Sequence, residues 1–273
     1  LPPDIPEATD DPAQLSERFV RDGFVVLREA FPREVAAECR DILWRDTGCD
    51  PRDPATWTRP VVRLGGYAQE PFRRAATMPR LHAAFDTLVG QGRWEPLQGL
   101  GTCPVRFPHA DPPGDEGWHI EGSYTRQGES WPPYVNVRSS GRALLTLFLF
   151  SDVSEDDAPT RIRVGSHLYA PSRLRPAGEE GLSFLDVAAT GLFDATADLP
   201  EALATGRAGD VFVCHPFLVH AAQPHRGTEP RFMAQPPLYP APGQPIRLER
   251  EDGDYSPVER AIRRGLAQPG PAS

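Results

Sequence analysis

Two histidines, one carboxylate and one distant arginine carry the chemistry open to this chain: His119-Ile120-Glu121, then His220, then Arg231. Two imidazoles and a carboxylate can occupy one face of an octahedral Fe(II), leaving the remaining positions for a co-substrate and dioxygen. The arginine past the second histidine supplies a fixed cation. Its planar fork matches a terminal carboxylate bidentately. The set works only if residues far apart in sequence meet in space.

Each member has rivals. A chain with seven histidines and 38 acidic residues produces His-x-acid pairs by chance, and His109-Ala110-Asp111 is another. Asp111 runs into Pro112-Pro113-Gly114, a loop signature. Around His119 the spacing is more useful: on a strand, His119 and Glu121 point to one face and the apolar Ile120 to the other. The pair at 119 and 121 is therefore preferred. For the distal histidine, His215 follows an apolar run, His220 follows Pro216-Phe217-Leu218-Val219, and His225 lies between Pro224 and Arg226 and reads as exposed. The residues alone leave that choice open. Arg231 begins an apolar stretch, where it either snorkels at an edge or reaches inward.

The elements that must position these groups change character along the chain. Residues 12–22 carry Leu15, Phe19 and Val20 at helical spacing and stop at Gly23. Residues 24–27 (FVVL) read as a short strand. Pro32 opens a second helix with Val35, Ala36, Cys39, Ile42 and Leu43 on one face, ending near Gly48, and residues 81–89 form a third, closed by Gly90. Short apolar segments broken by Gly and Pro follow. Residues 143–150 (ALLTLFLF) are the strongest strand, apolar on both faces; 161–164, 211–214 and 231–234 are further strands, and 256–266 a closing helix. The polar stretch 171–205 carries some helix. Helices first and short strands afterwards predict one α+β domain over 1–273, built on an antiparallel barrel or jelly roll, with residues 1–11 loose.

Composition removes several classes. The net charge is −9, and all 29 basic residues are arginine, with no basic stripe, so nucleic acid is not an expected partner. No apolar run reaches eighteen residues, so no membrane span is expected. The opening residues given are not a charged-then-apolar run, so secretion is not expected. Cys39, Cys49, Cys103 and Cys214 form no C-x-x-C pair and read as reduced thiols of a cytoplasmic protein. Oligomeric state leaves no signal.

Five segments in order resemble the phytanoyl-CoA dioxygenase family of Fe(II)/2-oxoglutarate-dependent oxygenases. Residues 19–30 (FVRDGFVVLREA) with Pro32-Arg33-Glu34-Val35 look like its opening helix, strand and helix. Trp118-His119-Ile120-Glu121 resembles its proximal W-H-x-D motif, and Val164-Gly165-Ser166-His167 its P-G-S-H turn. Gly209-Asp210-Val211, through His215 and Pro216 to His220, is similar to its distal segment, and Arg231 stands at the family's co-substrate distance. The resemblance implies a mainly β double-stranded β-helix, a jelly-roll or cupin-like barrel, with supporting helices. It implies Fe(II) on His119, Glu121 and His220, with 2-oxoglutarate on Arg231, dioxygen at the last position, and hydroxylation or related oxidation of a small organic molecule, plausibly a secondary metabolite. Thr146 or Thr160 would add a hydroxyl to the co-substrate site. His167 is structural on this reading.

Three departures stand out: Glu121 for the usual Asp, Val164 for the turn's Pro, and Ala158 where Gly is common. Family halogenases carry a small residue in place of this carboxylate, so Glu121 argues against halogenation. Residues 122–142 read as a substrate lid carrying Tyr124, Arg126, Trp131, Tyr134 and Arg138, with Trp94, Arg106 and Phe107 lining the same cavity. Aromatics with arginines suit a substrate having apolar and anionic or polar parts. The competing readings are an inactive or binding-only relative, with Glu121 marking a lapsed metal site, and a zinc hydrolase using the same three ligands.

Overall fold

The computed structural model describes residues 11–268. The loose stretch expected over residues 1–11 therefore lies outside the described residues except for Asp11, which caps the first helix.

Local rules set the helices. The Asp11 carboxylate accepts from the Ala13 N–H at 3.0 Å, and Pro12 occupies the first turn, where its missing donor is harmless. Gly23 ends α1 (Pro12–Asp22) at φ +86°, a conformation glycine adopts without strain. A Cβ there would also meet His167 Nδ1 at 2.5 Å, so the same glycine permits the close approach of a buried ring. After β1 (Phe24–Leu27) comes α2 (Arg33–Thr47), ended by Gly48 at φ +71°. The next elements are β2 (Val61–Leu64), α3 (Glu70–Ala76), α4 (Pro79–Leu88) and β3 (Cys103–Arg106). Of these only α4 was legible; Pro104 within β3 disguised that strand, since proline lacks a ladder donor.

Short strands fill the rest: β4 (Tyr134–Val135), β5 (Leu144–Leu149), β6 (Arg161–Arg163), then α5 (Ala170–Leu174), β7 (Leu182–Ser183), α6 (Leu192–Ala195) and β8 (Glu201–Leu203). After these come β9 (Val211–Cys214), β10 (His220–Ala221), β11 (Met233–Ala234), β12 (Pro237–Leu238) and α7 (Pro257–Leu266). A capping box starts α7: Ser256 Oγ accepts from the Glu259 N–H at 3.3 Å, and Glu259 Oε2 accepts from the Ser256 N–H at 2.9 Å.

The main sheet runs β1-β9-β5-β11, with β12 also paired to β5; a smaller sheet runs β10-β6-β8, and every pairing is antiparallel. Alternation along the strands gives two cores. Val25, Leu27, Leu144, Phe148, Val211 and Val213 join the core formed with the helices. Phe24, Val26, Leu145, Leu147, Phe212 and Cys214 pack instead with Ile162 and Ala202 of the smaller sheet. The protein is thus a mixed fold with antiparallel sheets, one face of the larger sheet covered by helices and the other by strands. All four cysteines are free thiols, and among the described residues no helix is long and apolar enough to cross a membrane.

Two buried imidazoles beneath α1 and α7 give the fold a pH dependence. His167 Nε2 donates to the Val20 carbonyl at 3.2 Å, and His215 Nε2 to that of Val258 at 3.4 Å, with the rings 5.0 Å apart. Burial pushes His167 down to about 4 and His215 well below its ordinary value. The unfolded chain therefore binds protons from about pH 6.5 downward, while the native state resists them until about pH 4. Stability is fully present above that window and is lost as pH falls through it, by about 3 kcal/mol from His167 alone. Urea midpoints of metal-free protein at pH 7 and pH 5 check this; equal midpoints would show that the rings are not held neutral.

Candidate metal centre

His119 and His220 are joined backbone to backbone. Each N–H donates to the other's carbonyl at 3.0 Å, forming an antiparallel bridge beside β10. Strand β10 is itself held by β6 through His220↔Ile162. The expected strand through His119 and Glu121 is no more than this single bridge, because the chain leaves the ladder at once for a loop. One bridge is enough to aim the side chains. The two rings lie 4.3 Å apart between centroids.

Both imidazoles are oriented the same way. His119 Nδ1 donates to the Gly117 carbonyl at 2.8 Å, and His220 Nδ1 to that of Leu218 at 2.9 Å. That fixes the tautomer and leaves each Nε2 lone pair free. Glu121 Oε1 lies 3.4 Å from His220 Nε2. One donor atom from each of His119, Glu121 and His220 falls within 4.8 Å of the others, close enough for one ion.

Arg142 completes the centre, and no sequence signal marked it. Its Nη2 lies 3.2 Å from Glu121 Oε2, and its Nε donates to the Gly122 carbonyl at 3.2 Å. One carboxylate oxygen is held by the guanidinium while the other faces the imidazoles. The longer reach of glutamate is thereby fixed. Burial alone would raise the Glu121 carboxyl, but Arg142 and the two imidazoles outweigh it and hold it well below the usual carboxylate range. Burial, and then His220, push His119 down to about 4. His119 and Glu121 are thus in their metal-binding protonation states at neutral pH.

The donors open into a cavity of about 590 Å³, also lined by Arg106, Asp115, Trp118, Thr160, Phe184 and Arg231. Arg231 is 1 % exposed. Its Nη1 donates to the Ala158 carbonyl, its Nε has no partner, and no carboxylate pairs with it among the described residues. Ala158 takes φ +52°, which accounts for glycine being suited to that position. Neighbouring Arg106 is different. Asp115 holds it in both hands at 3.0 and 2.8 Å. A buried guanidinium beside a second one, with no counter-ion, is unfavourable unless an anion arrives. The residues present therefore fit both a divalent ion and a carboxylate-bearing co-substrate.

Other expected positions fall elsewhere. Thr146 lies on the Leu144 and Phe148 side of β5 and donates to the Pro236 carbonyl at 2.8 Å, outside the cavity lining. Tyr124 donates to the Glu180 carbonyl at 2.8 Å, Arg126 stacks 3.9 Å from the Tyr134 ring centroid, and Arg138 pairs with Glu179 at 3.1 Å. These four fasten residues 122–138 to residues 179–183 instead of lining the cavity. Trp131 is exposed beside Phe184. Trp94 donates to Asp86, and Phe107 packs against Trp44 and Trp57; neither lines the cavity. His109 Nδ1 accepts from Asp111 N at 3.0 Å in a turn of its own, away from the three donors. His225 is buried, contrary to its polar neighbours, because it donates to the Glu229 carbonyl at 2.9 Å and sits against Asp157. Phe184 was missed: it lies in a polar stretch with no periodicity.

The sequence model of the phytanoyl-CoA dioxygenase family matches residues 19–233. No curated protein sequence matches the chain. Among solved structures, it is similar to the epimerase SnoN in complex with Fe3+, alpha ketoglutarate and nogalamycin RO (TM-score 0.54, 21 % identity, 84 % of this chain and 83 % of that one). It is similar to HygX from Streptomyces hygroscopicus with nickel and 2-oxoglutarate bound (0.52, 19 %, 86 % and 88 %). EctD from S. alaskensis, in its apoform, is a third (0.54, 20 %, 91 % and 84 %). At these identities the likeness concerns the fold.

Proposed function

The chain belongs to the phytanoyl-CoA dioxygenase family, and from that premise we propose that it is a non-haem Fe(II)- and 2-oxoglutarate-dependent oxygenase acting on a C–H bond of a small organic molecule. The observation that carries this is the sharing of one cavity by three metal donors and an unpaired, buried Arg231. On this reading the two antiparallel sheets form the double-stranded β-helix, as one domain.

His119, Glu121 and His220 would hold the iron. The carbonyls of Gly117 and Leu218 take the Nδ1 protons and so aim the two Nε2 atoms at the ion. Arg142 reserves one oxygen of Glu121 and leaves the other facing the imidazoles, where it would serve as a ligand. Arg231 would take the far carboxylate of 2-oxoglutarate, a charge-assisted contact worth roughly 1.5–3 kcal/mol, with Thr160 also lining the cavity. With iron bound, the centre supplies reductive activation of dioxygen coupled to decarboxylation of 2-oxoglutarate, giving an oxidant for C–H bonds. The guanidinium groups of Arg161 and Arg163 lie 4.5 and 4.0 Å from the Trp118 ring centroid, which fixes the cavity wall next to His119. Hydroxylation is the reaction assigned; desaturation, ring closure and epimerisation share the oxidant and differ in substrate pose. SnoN, from nogalamycin biosynthesis, is solved with nogalamycin RO and HygX with hygromycin B, which supports a tailoring role. The lapsed-site alternative is disfavoured because Glu121 stays with the imidazoles, held by Arg142.

Anaerobic protein given Fe(II) and 2-oxoglutarate is expected to develop a weak visible charge-transfer band. Admission of oxygen should then release succinate from labelled 2-oxoglutarate, slowly, without any added substrate. A protein with neither the band nor succinate is not this enzyme.

A further inference from the structure

Among the described residues three large apolar side chains stand exposed, and two of them flank Phe184 of the metal cavity: Trp131, 65 % exposed, beside its ring, and Leu185, 60 % exposed, the next residue in the chain. The ladder Tyr134↔Ser183 and Val135↔Leu182 lays the two segments side by side, and Phe184 N donates to the Pro133 carbonyl at 2.8 Å. Trp131 therefore lies 6.1 Å from Phe184, centroid to centroid. Phe184 in turn lines the cavity and meets the His119 ring edge-on at 5.9 Å. An unbroken aromatic path runs from solvent to a metal ligand. Beneath it, a Cβ on Gly122 would strike Pro133 at 2.6 Å, so the segment carrying Glu121 is packed directly against the rim.

The cations nearby are already engaged. Arg126 stacks on Tyr134 and faces Glu180 at 3.7 Å; Arg138 pairs with Glu179. The segments beside Trp131 and Leu185 add two exposed carboxylates, Glu129 and Asp186, so the rim offers apolar surface and nothing that would hold an anion. Its area is that of a few side chains, far below the roughly 1,000 Å² a specific protein interface needs, and it leads inward.

We propose that Trp131, Phe184 and Leu185 form the subsite for the substrate's ring portion, and that the substrate class is a molecule bearing an apolar, planar ring system free of anionic groups. The inference rests on the oxygenase reading for its inner end, where the reacting C–H faces the iron. Ring stacking and edge contacts favour such a partner beyond plain burial. Pockets of this volume hold drug-sized ligands, so the cavity can take the co-substrate together with the inner part of a larger molecule whose ring lies across the rim.

The probe is 2,7-dihydroxynaphthalene, neutral and bicyclic, with myo-inositol as a polyhydroxylated ring that cannot stack. Each is titrated calorimetrically into protein loaded with Co(II) and 2-oxoglutarate under nitrogen, and into metal-free protein. Saturable binding of the naphthalenediol is expected in both states, with none for inositol. Trp131→Ala should weaken it about tenfold, Leu185→Ser severalfold, and Trp131→Phe should retain most of it. Both side chains are exposed, so unchanged melting temperatures verify that the variants fold. No saturable naphthalenediol binding, or affinity indifferent to both positions, overturns the proposal. So does Trp131-dependent inositol binding, or a dimer that Trp131→Ala dissolves, which would give the patch to a second copy. Failure of Co(II) to load, with the ring probe still bound, would instead sink the metal assignment and leave the subsite standing.

Discussion

His119→Ala is expected to lose iron, and His109→Ala to keep it. The first substitution removes one of three donors and leaves a neutral and an anionic ligand on a hydrated ion. Losing even an outer partner of a metal ligand costs 10–100-fold in affinity; losing the ligand itself should exceed that range. His109 spends its Nδ1 on the Asp111 N–H and has no route to the other donors. Anaerobic titration with Co(II), followed by its visible absorption, reads both variants directly. The reverse result would transfer the centre to the other His-x-acid pair and dismantle the geometry described above.

Arg231→Met should raise the 2-oxoglutarate concentration for half-saturation by about 10–100-fold while changing metal affinity little. The charge-transfer band of the anaerobic complex measures the co-substrate, and Co(II) binding without 2-oxoglutarate measures the metal. A purely structural arginine would behave differently. Its removal would lower the melting temperature and leave co-substrate binding alone. Among the described residues Arg231 has no carboxylate partner, and exchanging such a buried cation for an apolar side chain of similar length is often neutral or stabilising. Metal-free Arg231→Met protein is therefore expected to melt no lower than the parent. A collapse of metal binding in this variant would show that the arginine shapes the ligands instead.

What the sequence made legible follows physical lines. Helices bounded by strong stops, such as α1 at Gly23 and α2 at Gly48, are visible because few residues other than glycine enter that conformation cheaply. The run at 143–150 declares a buried strand by its lack of polar residues. It could not declare which face Thr146 would take, because both faces are apolar; only pairing with β9 and β12 decides that. The spacing of His119 and Glu121 suggested a shared direction, but the choice of His220 over His215 came from likeness to a family. In the fold the reason is plain: His215 is enclosed with His167 and Phe19, while His220 is bridged to His119. Arg142 and Phe184 were invisible because their roles exist only after distant loops have met. The lid residues Tyr124, Arg126, Tyr134 and Arg138 were misplaced for the same reason. A loop's polar and aromatic side chains can satisfy one another as readily as a ligand, and here most of them do.

The reciprocal backbone bonds between His119 and His220 have a practical corollary. In small zinc domains the ion must gather its own ligands, and chelation unfolds the chain. Here the ordering entropy is absorbed when the strands pair, before any cation arrives. The imidazoles form a standing cup, so the protein can be stripped, stored and refilled with a chosen divalent ion without passing through an unfolded state.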